Sequence, residues 1–235
     1  MMEVLLASVF HFKHSCLLLV LLGIHACANE EDKQDSVIAV EDKVFDITIQ
    51  SSTPDNYAYN ASTALVGQGA DGHETRMLLA IPNILSLFRE DVVLSSIAHI
   101  EIQLVAQEVE VNPDNIRLGF MSQKITPYAT WNSRFSLAPE QEWTSPGGDL
   151  MDLPSISPDI EKVSEGLNHK KLLFNVTPSI IAAINEGHKI QGFMLQVLPG
   201  EDNAENASLV YTSNHSAAYA PKAILTFNNE DVLIP

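Results

Sequence analysis

The chain has 235 residues, with 30 Asp plus Glu against 13 Lys plus Arg and a formal net charge of −17. So acidic a surface repels nucleic acid and anionic lipid headgroups, and it disfavours polyanionic polysaccharides in the absence of a basic patch or bound cations. The two cysteines, Cys16 and Cys27, both lie near the N-terminus, which excludes thiol catalysis and cysteine metal sites from everything beyond.

Residues 1–27 read as an export leader. His11, Lys13 and His14 precede an unbroken apolar run, Cys16 to Ile24, and Ala26-Cys27 follows. That apolar run is too short to span a bilayer comfortably and has the order of a secretory signal. Ile24-His25-Ala26-Cys27 resembles a bacterial lipobox, which implies cleavage before Cys27 and acylation of its sulfur and amine. The alternative is an ordinary signal cut near Ala26 or Ala28. The first reading places the protein on the bacterial outer membrane or cell surface as a lipoprotein; the second leaves it secreted or periplasmic.

Residues 28–37 are polar and charged without a period and read as a tether. From residue 38 to 235 the pattern is short strands separated by turn residues. FDITIQ (Phe45 to Gln50) places Phe45, Ile47 and Ile49 on one face, and RMLLAIP (Arg76 to Pro82) is a denser apolar run. In IAHIEIQLVA, Ala98, Ile100, Ile102, Leu104 and Ala106 are expected on one face and His99, Glu101 and Gln103 on the other. NIRLGFMSQKI aligns Ile116, Leu118 and Phe120. LLFNV, IQGFMLQVL, SLVYTS and KAILTF bring the named segments to eight of the roughly nine strands expected.

One helix is expected, at about 178–186. Thr177 reads as its N-cap, Pro178 as its first residue, Ile180, Ile181 and Ile184 as its apolar stripe, and Gly187 as its C-terminal cap. Many strands, one helix and no alternating βα rhythm predict a single all-β domain, an antiparallel β-sandwich or jelly roll with the helix as a lid.

Chemistry-bearing motifs are sparse. The chain has no G-x-S-x-G, H-E-x-x-H, phosphate-binding G-x-x-x-x-G-K-[ST] loop or EF-hand loop, so no acid–base constellation stands out. Five histidines beyond the leader (His73, His99, His169, His188 and His215) scatter singly along the sequence. Glu41, Asp42 and Asp46 near the first strand are candidates for a structural Ca²⁺ site, or form a solvated acidic strand entry. Arg76 is either a ligand hook at a strand end or a clamp on an acidic side chain and loop carbonyls. Tyr57 and Tyr59 in PDNYAYNAS could form an aromatic platform for the apolar faces of a sugar.

The most distinctive stretch is ATWNSRFSLAPEQEWTSPGGD, Ala129 to Asp149. It holds both tryptophans, Trp131 and Trp143, and the Gly147-Gly148 pair. Together with DITIQ, NYAYNAS, ALVG, RMLLAIP, NVT before PSIIAAINEG, GFMLQV and PKAILTF, it gives an ordered pattern over residues 45–228. That pattern resembles the DNRLRE-type domain, a β-jelly-roll module of exported bacterial and archaeal surface proteins related to carbohydrate-binding modules. The resemblance implies a non-catalytic module binding polysaccharide. A structural or adhesion protein binding another cell-surface protein is the alternative, and a polysaccharide lyase or hydrolase a third reading. Tyr57, Tyr59, Tyr128, Trp131, Arg134 and Trp143 are the expected ligand contacts. The two tryptophans and the glycine pair have a second reading, in which they pin a long crossover to the sandwich.

Overall fold

The computed structural model describes residues 36–40, 44–56, 61–69, 71–82, 97–109, 111–137, 140–163, 168–199 and 206–227. The leader with Cys27, the tether up to residue 35, the pair Glu41 and Asp42, and the pair Tyr57 and Tyr59 lie outside them. Ser36–Pro235 clusters as one compact unit, distinct from Met1–Asp35.

Strands dominate, as the alternating sequence requires. In chain order they are β1 (Ser36–Val40), β2 (Phe45–Gln50), β3 (Thr63–Gln68), β4 (Glu74–Ala80), β5 (Ile97–Val109), β6 (Ile116–Met121), β7 (Ser133–Phe135), β8 (Gln141–Glu142), β9 (Asp159–Lys162), β10 (Lys170–Asn175), β11 (Gly192–Val197), β12 (Asn206–Tyr211) and β13 (Lys222–Phe227). Eleven form one sheet, ordered β1-β13-β5-β12-β3-β4-β11-β6, with β10 beside β5, β9 beside β10 and β2 beside β4. β7 and β8 form a separate ribbon. Every pairing is antiparallel. The protein is therefore all-β, a curled antiparallel sheet with sandwich-like layering and, among the described residues, one short α-helix.

Two long strands turn the sheet back on itself. Along one edge β5 pairs first with β13 (Ile97 to Gln103) and then with β12 (Ala106 to Val109), while β10 runs along the other edge. β4 does the same, bonding β3 through Glu74 and Thr75 and then β11 through Met77 to Leu79, with β2 opposite. A strand that changes partners partway along bends the layer into two facing halves.

The inner faces build the main core from Met77, Leu79, Ile100, Ile102, Leu104, Ile116, Leu118, Phe120, Phe174, Phe193 and Leu195, among others. A second, smaller core forms on the outer face of β2, β4, β6 and β11, where Ile47, Ile49, Leu78, Met121 and Met194 meet Ile125, Ala129 and Trp143. This explains the dense apolar runs RMLLAIP and GFMLQV: those strands are covered on both faces, so alternation disappears.

The expected facing of β5 needs one correction. Ile97 is buried and Ala98 exposed, the reverse of the simple alternation. The ladder with β13 shifts there, Thr226 facing His99 but Phe227 facing Ile97. One extra residue on β5 is a β-bulge, and it flips the side chains beyond it.

Helix α1 (Thr177–Asn185) lies within one residue of the predicted span. Its cap is different, because Val176 is the N-cap and no side chain caps it. The Thr177 hydroxyl instead accepts from Ile100 N–H (2.7 Å) and donates to Ile100 C=O (3.3 Å), fixing the helix to β5. That anchor turns Ile180 and Ala183 into the main core with Ile184 packed against it, so Ala183 takes the place expected for Ile181. At the other end His188 N–H bonds Ala183 C=O and Gly187 N–H bonds Ile184 C=O. With Gly187 at φ +74° this is a Schellman cap.

Candidate functional site

The segment from Ala129 to Asp149 crosses the outer face of the sheet, and its own backbone shapes it. Thr130 N–H bonds Ser133 C=O (2.7 Å) while Ser133 N–H returns to Thr130 Oγ1 (3.0 Å). Trp143 N–H bonds Asn132 C=O, and Gly147 N–H bonds Trp131 C=O (2.6 Å). Asp149 closes the last turn, its two carboxylate oxygens accepting from Thr144 N–H and Ser145 N–H at 3.0 Å each. Gly147 and Gly148 have φ of +90° and +102°, the left-handed region that side chains with a Cβ rarely adopt. They also leave no room: a Cβ on Gly147 would lie 2.7 Å from Arg76 Nη1 and 2.9 Å from Trp131 Cζ2.

Arg76 on β4 ties this loop to the sheet. Its Nε and Nη2 bond the two oxygens of Glu74 (2.6 and 3.1 Å), and Nη1 donates to Gly147 C=O (2.9 Å). Its guanidinium carbon lies 4.8 Å from the centre of the Trp131 ring. The carboxylate fixes the fork, and the flat cation then covers one indole face. Arg76 is the clamp on an acidic side chain and a loop carbonyl.

The two tryptophans differ. Trp143 is 5% exposed in the second core, and its Nε1–H donates to Thr130 C=O (2.9 Å). Trp131 is half-buried against that core and under Arg76. Both pin the crossover, and Trp143 presents no open face to a ligand.

Arg134 and Tyr128 lie at the rim of the same loop. Arg134 Nη1 donates to Gln123 Oε1 (2.7 Å), and Thr126 Oγ1 donates to Arg134 C=O (2.6 Å). Tyr128 is 37% exposed and stands edge-to-face on Phe135, with ring centres 5.9 Å apart. Its carbonyl accepts from both Ser136 N–H and Ser136 Oγ. An aromatic pair and a guanidinium–carboxamide pair thus both lie on this internally bonded stretch of chain. The other edge of the crossover holds the first loop, where Asn132 N–H bonds Pro54 C=O and Asn132 Nδ2 donates to Asp55 Oδ1 (2.9 Å).

Asp46, named above with Glu41 and Asp42 as a cation ligand, is 3% exposed. One carboxylate oxygen accepts from Ser213 N–H (2.6 Å). Burial raises its pKa above the ordinary carboxylate value, against the opposing pull of the Ser213 hydrogen bonds. Among the described residues no three His, Cys, Asp or Glu side chains converge as a metal site.

Sequence reading missed a second cluster. His169, just before β10, and Tyr211, His215 and Tyr219, from β12 and the loop after it, bring four rings together. Tyr211 OH and His169 Nε2 are 3.0 Å apart. Tyr211 and Tyr219 stack with centres 5.0 Å apart, His169 stands edge-on to both, and His215 lies 4.4 Å from Tyr211. The other three histidines among the described residues sit beside carboxylates: His73 by Asp71, His99 by Glu101 and His188 by Glu186. The one available signal was the Tyr-x₃-His-x₃-Tyr spacing of residues 211–219; His169 is too distant in sequence to be linked to it.

Among the described residues no helix is long and apolar enough to cross a membrane. No family model matches the chain, and no curated protein matches it.

Proposed function

We propose that the protein is a non-catalytic module of the bacterial cell envelope that binds a neutral polysaccharide, held at a membrane by lipid on Cys27. The observation that carries the binding half is the rim of the crossover loop. There the Tyr128 ring and the Arg134–Gln123 pair are carried on one stretch of chain whose backbone is fixed by hydrogen bonds. A sugar ring has an apolar C–H face that packs on an aromatic ring, and hydroxyls that need planar donors and acceptors beside it. A surface set in advance loses little conformational freedom on binding. The resemblance of the segment to the DNRLRE-type domain supports the same reading, and the net charge of −17 selects neutral over polyanionic chains.

Affinity electrophoresis of the chain from Ala28 onward, through gels holding β-glucan, xylan or galactomannan, tests the binding, with and without Ca²⁺. Retardation by at least one polysaccharide, lost in Arg134→Ala and Tyr128→Ala, is the expected outcome. Equal mobility in every gel under both conditions rejects it and leaves the adhesion reading. For the anchor, Cys27→Ser should move the protein from the membrane fraction to the soluble one.

A further inference from the structure

We infer that Tyr211 and Tyr219 are a site of oxidative crosslinking, joined ring to ring as dityrosine, with His169 taking up the first proton. The inference is independent of the polysaccharide reading and concerns a covalent modification of the chain itself.

The two rings are held together before any reaction. They stack with centres 5.0 Å apart and planes 21° from parallel. His169 stands edge-on to Tyr219 at 5.1 Å, and His215 flanks Tyr211 at 4.4 Å. Backbone bonds fix both ends of the intervening loop. Thr212 N–H bonds Ser62 C=O, Ser213 N–H bonds the Asp46 carboxylate, and Tyr219 N–H bonds Ser216 C=O. Reacting groups placed side by side in this way replace a bimolecular encounter with an intramolecular step.

A phenol gives up an electron readily only when its proton leaves as well. Tyr211 OH and His169 Nε2 are 3.0 Å apart, so an imidazole stands where that proton must go. Nδ1 of the same ring has no hydrogen-bond partner among the described residues. No competing bond therefore holds His169 in the tautomer that would donate from Nε2. Tyr211 is 7% exposed, which makes the imidazole rather than bulk water its proton acceptor. Tyr219 is half-buried and presents the pair to an oxidant from outside.

The oxidant is hydrogen peroxide acting through a haem peroxidase. Oxidation of Tyr211 breaks its O–H bond, sending the electron to the haem and the proton to His169 Nε2. A second oxidation takes an electron from Tyr219 and releases its proton to water. The two phenoxyl radicals couple through ring carbons ortho to oxygen, and the hydrogen on each of those carbons moves to its own ring oxygen to restore the phenols. His169 returns its proton to water, and the peroxide is reduced to water by both electrons. The cysteines of this chain, Cys16 and Cys27, both lie near the N-terminus, so no disulfide within the chain can staple the domain beyond them. Dityrosine would supply such a staple, fastening β12 to the loop that leads into β13.

The test treats the chain from Ala28 onward with a haem peroxidase and hydrogen peroxide, and follows dityrosine emission and the mass of the tryptic peptide Ile190–Lys222. The peptide should lose two hydrogens, and backbone breaks between Tyr211 and Tyr219 should release no fragments. Tyr211→Phe and Tyr219→Phe keep the stacked rings and remove only a hydroxyl, so each should abolish the product, while Tyr128→Phe keeps it. His169→Gln should slow crosslinking by about 100-fold, and the wild-type rate should fall in deuterated water. A monomer that gains no dityrosine, or a product that persists in Tyr219→Phe, overturns the inference. A His169→Gln protein that crosslinks at the wild-type rate overturns the role given to the imidazole.

Discussion

Gly147→Ala is the sharpest probe of how the crossover loop is held. Two costs add. At φ +90° an alanine adopts the left-handed region at about 1–2 kcal/mol. Its Cβ would also stand 2.7 Å from Arg76 Nη1 and 2.9 Å from Trp131 Cζ2. An arginine tip would normally swing away cheaply, but this one is held along one edge by both oxygens of Glu74 and on its face by Trp131. Displacing it loses the bond to the Gly147 carbonyl, about 1.5–3 kcal/mol for a charged donor, and a cation–π contact of about 0.5–1 kcal/mol. The expected total is about 3–6 kcal/mol. Gly187→Ala supplies the control, because Gly187 has φ +74° and nothing within 4 Å of an added Cβ. It should lose only the conformational part. Urea denaturation of both variants, with unchanged slope, measures the difference. Equal losses in the two variants would show that the Arg76–Trp131–Gly147 clamp adds nothing, and the argument for a pinned loop would fail.

Three further outcomes follow from other parts of the fold. Trp143→Phe removes the donor to Thr130 C=O in a buried setting and should cost about 2–4 kcal/mol in the same assay, with loss of near-ultraviolet ellipticity. For Asp46 burial raises the native pKa, so the native state binds the proton more tightly than the unfolded chain. Stability from this group is then full below the ordinary Asp range and lost as pH rises through the native value. Asp46→Asn, whose oxygen still accepts from Ser213, should equal or exceed the wild type in stability at pH 7. That difference should shrink on acidification, and a difference that grew instead would reverse the sign of the argument. The bulge on β5 predicts that Ile97→Ser costs several times more than Ala98→Ser; the simple alternation predicts the opposite order.

What the sequence showed depended on how far each cause extends along the chain. β2 was legible to the residue, since six consecutive side chains carry its pattern, and so was the Schellman cap, which needs only Gly187 after an apolar stripe. β1 and β3 were missed as strands, and β1 owes its place to a ladder with β13 nearly two hundred residues away, from Ser36 with Phe227 to Val40 with Ala223. The bulge at Ala98 depends on the partner's register, which no local period encodes. Thr177 satisfied every local rule for an N-cap, yet a tertiary bond to Ile100 took its hydroxyl. The ring cluster was hidden for the same reason: His169 and Tyr211 are 42 positions apart, and each histidine taken alone reads as a surface residue.

The tryptophans show how the same residues can mark a fold without marking its ligand. A platform needs an exposed ring face, and an anchor needs a buried one. Trp143 gives its area to the second core and its N–H to Thr130, while Trp131 gives one face to Arg76. Both are committed to holding the loop. What that rigidity leaves at the rim is Tyr128 and Arg134, each positioned by bonds that run through the pinned backbone. If the tryptophans serve recognition at all, they do so by fixing those neighbours. A conservative change at Trp143 should then weaken glycan binding only in proportion to the fraction unfolded, whereas Tyr128→Ala should abolish binding with the denaturation midpoint unchanged. A Trp143→Phe protein that remained folded at the assay temperature yet lost all affinity would place the ring in direct contact with sugar and reverse this division of roles.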